Sequence, residues 1–224
     1  MNDPGTPLRI QRVAASALLR TNPLIAVLRA TDAHRYDPVV EVLAANGIRS
    51  IELTLSTPGT FEHLAVLRAQ VGTDVEIGIG TVTSLEQAHQ AIDAGADFLV
   101  TPIVNLDIVA LAVRAGTPVF PGGLTPSELF GSWSAGATAV KIFPAETVGP
   151  RFAQHLRGPF PDIEFVPSGG IDLADIPAWL TAGALAVSVG GPLVGDALSG
   201  GSLVALAERA ARATLLARDA IDAR

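Results

Sequence analysis

The chain has 224 residues, of which 49% are hydrophobic and 17% charged, and its formal net charge is −7. This apolar content excludes an intrinsically disordered chain, and the length suffices for one large domain with a hydrophobic core. The negative charge argues against a general nucleic-acid binder, and no apolar run approaches the roughly 18 residues of a membrane helix. We therefore expect neither nucleic acid nor membrane as a partner.

Two residue counts narrow the chemistry. The chain has no cysteine, which excludes disulfides, thiolate catalysis and zinc–thiolate sites. Of its 15 basic residues, 14 are arginine and only Lys141 is a lysine. Arginine stays protonated, whereas a lysine removed from water can lose its proton and attack a carbonyl. A single lysine among so many arginines suggests a task that arginine cannot perform. Whether Lys141 is functional must be judged from its position in the fold.

Residues 1–23 are predicted to form a helical extension ahead of the main domain. Ile10, Val13, Ala14 and Leu18 have roughly helical spacing, which favours a helix packed beneath that domain. Arginines interrupt the apolar stretches of this segment, so it lacks the apolar core of a signal peptide. We expect a cytoplasmic protein.

Residues 24–224 repeat a β-then-α pattern eight times, at intervals of 20 to 26 residues. The β-rich runs begin near Ile25, Ser50, Glu76, Phe98, Pro118, Ala139, Phe165 and Ala186. Stretches with helical spacing follow, with capping signals such as Ser84 before Gln87 and Thr125 before Glu128. Glycines mark the predicted helix ends at positions 47, 72, 95, 116, 136 and 183.

Eight such units predict a single α/β domain folded as a (β/α)8 TIM barrel with an N-terminal helix. The alternative is a doubly wound open sheet. That fold usually has a G-x-G-x-x-G turn after its first strand, but here the first run ends in Leu28-Arg29-Ala30. The barrel is therefore favoured, and its site is expected where the strands end at the carboxyl-terminal face.

Strand parity places two polar groups of the early runs toward the barrel axis. In the second run, Ile51, Leu53 and Leu55 alternate with the polar residues Ser50, Glu52, Thr54 and Ser56. An inward carboxylate is costly unless it is paired, so Glu52 needs a cationic partner. Arg29 ends the first run near the mouth and suits a carboxylate or phosphate. The alternative for Arg29 is a salt bridge at the rim.

The sixth run directs Lys141 toward the same axis. Its residues Val140 and Ile142 suit the helix-facing side, which leaves Ala139, Lys141 and Phe143 pointing inward. A functional lysine paired with Glu52 is the favoured interpretation, and a purely structural ion pair is the alternative.

The third run continues as Gly78-Ile79-Gly80-Thr81, whose glycines leave room for a small ligand, and the fourth ends in Thr101-Pro102.

Glycine pairs follow the last two runs, as Ser168-Gly169-Gly170 and Gly190-Gly191. Loops after these two strands are the usual phosphate site of a barrel, because exposed backbone N–H groups converge there on an anion.

No metal or other cofactor is expected. The four histidines are scattered without paired-ligand spacing, and no G-x-S-x-G elbow supports a serine hydrolase.

Six segments occur in an order that resembles the 2-keto-3-deoxy-6-phosphogluconate (KDPG) / 4-hydroxy-2-oxoglutarate aldolase family. They are Ile51–Leu55, Gly80–Val82, Val100–Pro102, Pro121–Gly122, Lys141–Glu146 and Pro167–Ile171. The most specific is the K-x-F-P-A-E segment at 141–146. The resemblance implies a class I, metal-independent aldolase that acts on a small 2-keto acid and assembles as a homotrimer. It makes Lys141 the Schiff-base lysine and Glu52 the general base, with Thr81 and Pro102 in the pyruvate pocket.

The chain departs from the family pattern at two positions. Many members carry an arginine at the position of Ser56, which helps hold the substrate carboxylate, so that task falls here to Arg29. Many have a serine after the second glycine pair, where this chain has Pro192. Ser56-Thr57-Pro58 looks closer to the phosphogalactonate aldolases, which leaves the sugar stereochemistry open.

Three other functions stay open on the residues alone. A phosphosugar isomerase or epimerase would use Glu52 as a base without a covalent step. A binding protein would hold small acids without turnover, and a metal-dependent aldolase would lose activity with a chelator.

Overall fold

The computed structural model describes residues 12–223. Within these residues there are nine short strands, separated by helices except between the fifth and the sixth: β1 Leu24–Leu28, β2 Ser50–Thr54, β3 Glu76–Gly80, β4 Leu99–Val100, β5 Val119–Phe120, β6 Gly122–Gly123, β7 Val140–Ile142, β8 Phe165–Pro167 and β9 Val187–Val189. All pairings between them are parallel. Each predicted β-rich run therefore forms a strand, and the fifth run forms two.

The described part of the chain has ten α-helices, which connect and flank these strands: α1 Ala17–Thr21, α2 Tyr36–Ala45, α3 Thr60–Val71, α4 Leu85–Asp93, α5 Leu106–Ala115, α6 Pro126–Ser134, α7 Pro150–Arg157, α8 Ile176–Thr181, α9 Gly191–Val194 and α10 Leu203–Asp222. The capping boxes at Ser84 and Thr125 are present as predicted. The six glycines predicted at helix ends all have positive φ. Among residues 12–223, no helix has both the length and the apolar character needed to cross a bilayer.

The prediction of one closed eight-stranded barrel is wrong. The strands form a six-stranded sheet, ordered β5-β4-β3-β2-β1-β9, and a three-stranded sheet, ordered β6-β7-β8. Within the fifth run Pro121, which has no N–H to donate, separates β5 from β6, and its carbonyl accepts a 2.8 Å hydrogen bond from the Lys141 N–H. Between β8 and β9 there is one isolated bridge, from Ser168 to Ser188, in place of a continuous ladder.

The two faces of the strands carry different side chains, as their alternation predicts. One face packs against the helices in the main core, which includes Ile51, Leu53, Val140 and Ile142. The other face, here called the inner side, carries a smaller apolar cluster contributed by both sheets. Its members are Ala15, Leu19, Ile25, Phe98, Val100, Phe120, Ala139, Val166 and Ala186.

Helix α1 closes the amino-terminal end of the inner side, because its buried Leu19 joins the inner cluster. The helix begins after Ser16, whose side chain accepts a hydrogen bond from the Leu19 N–H. Ile10, part of the predicted helical spacing, lies outside the described residues. Beside this end Ser50 donates a 2.5 Å hydrogen bond to the Glu76 carboxylate, and burial raises the pKa of Glu76.

The inner side is tightly packed around Gly78, where there is no room for a side chain. A Cβ at this position would lie 2.2 Å from the Phe98 ring, which is itself buried. We expect Gly78→Ala to lower the free energy of unfolding by about 1–3 kcal/mol, the usual cost of overpacking.

The control is Gly131→Ala in α6, where a Cβ meets nothing within 4 Å. That variant should be as stable as the parent or up to about 1 kcal/mol more stable, because alanine is the better helix former. Urea unfolding of both variants makes the comparison. Equal effects of the two substitutions would contradict the packing described here.

Candidate active site

A cavity of about 360 Å³ opens at the carboxyl ends of the strands. It is lined by Val27, Arg29, Glu52, Thr54, Thr81, Pro102, Lys141, Phe143, Ser168, Gly169, Gly170, Ile171, Ser188, Gly190, Gly191 and Pro192. Of the residues predicted from the sequence, Ser56 alone is outside this lining. The structure thus brings together side chains from the ends of seven different strands.

Lys141 enters the cavity from the middle of β7. Its neighbours Val140 and Ile142 pack on the helix side, so alternation turns the lysine to the inner side. The side chain is 9% exposed, and its Nζ lies 5.2 Å from the centre of the Phe143 ring. The only lysine of the chain is therefore a nearly buried amine at the cavity wall.

Glu52 lies on β2 and faces Lys141. The Glu52 Oε1 is 3.9 Å from the Lys141 Nζ, and the glutamate side chain is 2% exposed. Room for this carboxylate comes from Gly80 on the adjacent strand β3, where a Cβ would lie 1.9 Å from Glu52 Oε1. The predicted pairing of the inward carboxylate with the lysine is present.

Arg29 stands at the mouth of the cavity and is exposed. Among residues 12–223, no carboxylate forms an ion pair with its guanidinium, so the alternative of a rim salt bridge is not observed. Thr54 lines the wall below and donates a 3.0 Å hydrogen bond to the Leu28 carbonyl. Ser56 is exposed and lies 3.0 Å from Thr54, hydroxyl to hydroxyl.

Thr81 follows β3 with a φ of +63°, a left-handed conformation that threonine rarely adopts. It is the only residue other than glycine with positive φ in the part of the chain that the structure describes. Strained backbone of this kind clusters at ligand sites. Thr81, Pro102 and Phe143 are all partly exposed in the cavity wall, where the sequence predicted substrate contacts.

The glycine loops after β8 and β9 form another part of the wall. Gly169 and Gly170 have φ of +89° and +72°, and their N–H groups make no hydrogen bond with any part of residues 12–223. The Ser168 and Ser188 hydroxyls lie 3.4 Å apart beneath these loops. Two free N–H groups beside a cavity are suited to an anion.

Four lining residues were not among the predicted site residues: Val27, Ile171, Ser188 and Pro192. Parity could have found Ser188, since it lies two residues after the inward Ala186. Ile171 and Pro192 follow the glycine loops, and only the path of these loops brings them to the cavity.

The charges of the lining define what the cavity can bind and do. It holds two cations, Arg29 and Lys141, and one carboxylate, Glu52, but no histidine. Such a site attracts an anion, and its buried amine and carboxylate can exchange protons with a bound carbonyl compound. A lysine nucleophile with an adjacent acid–base is the arrangement that Schiff-base chemistry requires.

Comparisons with known proteins agree with this chemistry. Residues 15–203 match the family described as "Aldolase: KDPG and KHG aldolase". A 2-dehydro-3-deoxy-phosphogluconate aldolase of Treponema pallidum is 36% identical over 159 residues, which cover 70% of this chain and 74% of the relative.

Solved structures show the same fold. One described as native KDPGal has a TM-score of 0.83 and 29% identity, covering 89% of this chain and 96% of the other. The KDPG aldolase of Legionella pneumophila, with pyruvate captured as a covalent carbinolamine, has a TM-score of 0.77 and 28% identity. That alignment covers 91% of this chain and 96% of the Legionella chain. A covalent intermediate in this relative favours an aldolase over an isomerase or a simple binding protein. The chain belongs to the KDPG and KHG aldolase family and is a class I, metal-independent aldolase.

Proposed function

We propose that Lys141 forms the Schiff base with the C2 keto group of a 2-keto-3-deoxy acid, and that Glu52 moves the protons of the reaction. The observation that carries this proposal is the nearly buried amine of Lys141, 3.9 Å from the buried carboxylate of Glu52. Arg29, for which residues 12–223 provide no ion-pair partner, supports an acidic substrate. The products are pyruvate and an aldehyde.

The first half of the reaction joins the substrate to the enzyme. The neutral amine of Lys141 attacks C2, and the keto oxygen takes up a proton to give a carbinolamine. Loss of that oxygen as water leaves an iminium ion, which can accept an electron pair. Because 3.9 Å exceeds a direct hydrogen bond, Glu52 delivers or removes protons here through a water molecule or after a small movement.

The second half breaks the C3–C4 bond. Glu52 accepts the proton of the C4 hydroxyl, the C4 oxygen becomes the aldehyde carbonyl, and the bonding electron pair moves toward the iminium nitrogen. The resulting enamine takes a proton at C3. Hydrolysis of the new iminium ion then releases pyruvate and returns Lys141 to its starting state.

Arg29 is the proposed partner of the substrate carboxylate. It is the guanidinium in the cavity lining, whereas Ser56, at the position where many relatives carry arginine, is outside the lining. Thr54, Ser56, Thr81, Pro102 and Phe143 complete the proposed substrate-binding set. The hydroxyls of Thr54, at the end of β2, and Ser56, just after that strand, form a hydrogen bond with each other.

The glycine loops are the proposed phosphate site, made by Ser168, Gly169, Gly170, Gly190 and Gly191. The free N–H groups of Gly169 and Gly170 support this proposal. Pro192 lines the same wall but contributes neither an N–H nor a hydroxyl. We therefore infer an enzyme that accepts phosphorylated acids with a smaller preference than relatives that carry serine at this position.

The assembly and location are also proposals. We propose a homotrimer, which the family resemblance implies, and a cytoplasmic location. Exposed apolar side chains, such as Phe130, which stacks on Phe160, are consistent with an interface between subunits.

Borohydride reduction in the presence of pyruvate should attach the three-carbon unit to Lys141 permanently. With one lysine in the chain, the N-terminal amine is the only competing primary amine. Peptide mass spectrometry locates the adduct, and Lys141→Arg should abolish it. Inactivation of the enzyme without an adduct on the Lys141 peptide would rule out the proposed Schiff base.

Glu52→Gln should slow aldol cleavage by about 10²-fold or more, which is the usual contribution of a general base. The matched control is Glu76→Gln, a second buried glutamate on the inner face of the neighbouring strand that does not line the cavity. The control should retain near-parental kcat with a folded circular dichroism spectrum. Cleavage by Glu52→Gln at the parental rate would reduce Glu52 to a structural partner of Lys141.

Pro192→Ser should raise kcat/KM for 2-keto-3-deoxy-6-phosphogluconate by about 10- to 150-fold, the value of one hydrogen bond to a charged group. Its kcat/KM for unphosphorylated 4-hydroxy-2-oxoglutarate should stay unchanged, which makes that substrate the control. Two observations together would contradict the proposed phosphate site. The parent would already prefer the phosphorylated acid by many orders of magnitude in kcat/KM, and Pro192→Ser would leave that preference unchanged.

A further inference from the structure

We propose that His34, Asp37 and His63 form a binding site for one divalent transition-metal ion, with zinc as the best match, outside the catalytic cavity. His34 lies in the 3₁₀ turn Ala33–Arg35, and Asp37 lies in the first turn of α2. His63 lies in the first turn of α3. The chain separates the two histidines by the whole of β2, so their meeting was not visible in the sequence.

The ligand atoms of these three side chains all lie within 4.8 Å of one another. In a tetrahedral zinc site with bonds of about 2.0–2.1 Å, neighbouring ligand atoms are roughly 3.3 Å apart. The present spacing brackets that value, since His63 Nε2 and Asp37 Oδ1 are 2.5 Å apart. The separations of the three atoms therefore need to change by no more than about 1.5 Å to reach tetrahedral spacing.

The three side chains differ in exposure, which makes such an adjustment feasible. The His63 side chain is 8% exposed, and its backbone N–H donates a 3.1 Å hydrogen bond to the Gly59 carbonyl. It therefore provides a fixed ligand. The Asp37 side chain is 40% exposed and His34 is exposed, so both can rotate toward an ion, and solvent can supply a fourth ligand.

The donor set selects the kind of ion. Two imidazole nitrogens with one carboxylate oxygen suit zinc and its neighbours in the first transition row, whereas magnesium and calcium prefer oxygen ligands throughout. The close approach of the three side chains also has an explanation that needs no ion. The two rings pack edge to face with centroids 4.5 Å apart, and His63 hydrogen-bonds Asp37. The experiment below separates the two accounts.

An ion here would join the two loops that carry Arg29 and Ser56. These loops already touch, because Thr57 exchanges hydrogen bonds of 2.9 and 3.2 Å with the N–H and carbonyl of Ala30. The Ala33 N–H also donates to the Pro58 carbonyl at 3.1 Å. None of the three ligands lines the catalytic cavity, so the ion would stabilise the mouth and take no part in the metal-independent chemistry.

The test measures zinc binding by the full-length protein, prepared without a histidine tag and treated with a chelator that is then removed. Calorimetric titration with zinc should show one ion per chain, and the melting temperature should rise with zinc concentration. Magnesium at the same concentrations should produce neither effect. Binding of magnesium with equal affinity, or no zinc binding at millimolar concentration, would overturn the proposal.

Single variants assign the site. His34→Ala and Asp37→Ala remove exposed or half-exposed ligands, so both should fold, and each should weaken zinc binding by about 10-fold or more. His89→Ala and His155→Ala remove exposed histidines elsewhere and should bind zinc like the parent. Parental affinity in both ligand variants, or an equal loss in the two controls, would place the ion elsewhere and refute the site.

Discussion

The buried pair of Lys141 and Glu52 is the interaction on which the arrangement of the site depends. Removing one charge of such a pair from water is costly, and the partner charge offsets that cost only when the two lie close together. The structure achieves this with β2 and β7, strands that belong to different sheets. Both strands must therefore hold their registers, because a slip of one residue would turn the charged group into the main core.

Glycine is what makes the inner side compatible with that pair. Gly78 accommodates the Phe98 ring and Gly80 accommodates the Glu52 carboxylate, so two positions of one strand face occupy no side-chain volume. The apolar cluster fills the amino-terminal half of the inner side, and the polar residues lie above it toward the carboxyl ends. The substrate cavity is thus the part of the interior that apolar side chains leave unfilled.

The charge balance of the cavity links this architecture to the family. Glu52 lies beside Lys141, while Arg29 has no ion-pair partner within the described residues, so one cation remains available to an incoming acid. Under the proposed function, a keto acid supplies the missing anion and places its carbonyl near the lysine. The matches to KDPG and KHG aldolases fit this electrostatic requirement. Of the two departures from the family pattern, Pro192 lies in the cavity wall and Ser56 lies outside the lining.

The sequence by itself determined the eight β-rich runs, the helix caps and the inward direction of Glu52 and Lys141, because these follow from local alternation and capping chemistry. It also predicted most of the cavity lining, since parallel strands bring their carboxyl ends to one side. Only the tertiary structure decided how the ladders join. Pro121 separates β5 from β6 in the fifth run, and the strands form two sheets. The approach of His34 to His63 was likewise decided by the packing of the 3₁₀ turn Ala33–Arg35 against α3. Contacts between residues distant in the chain depend on the assembled fold and leave no periodic signal in the sequence.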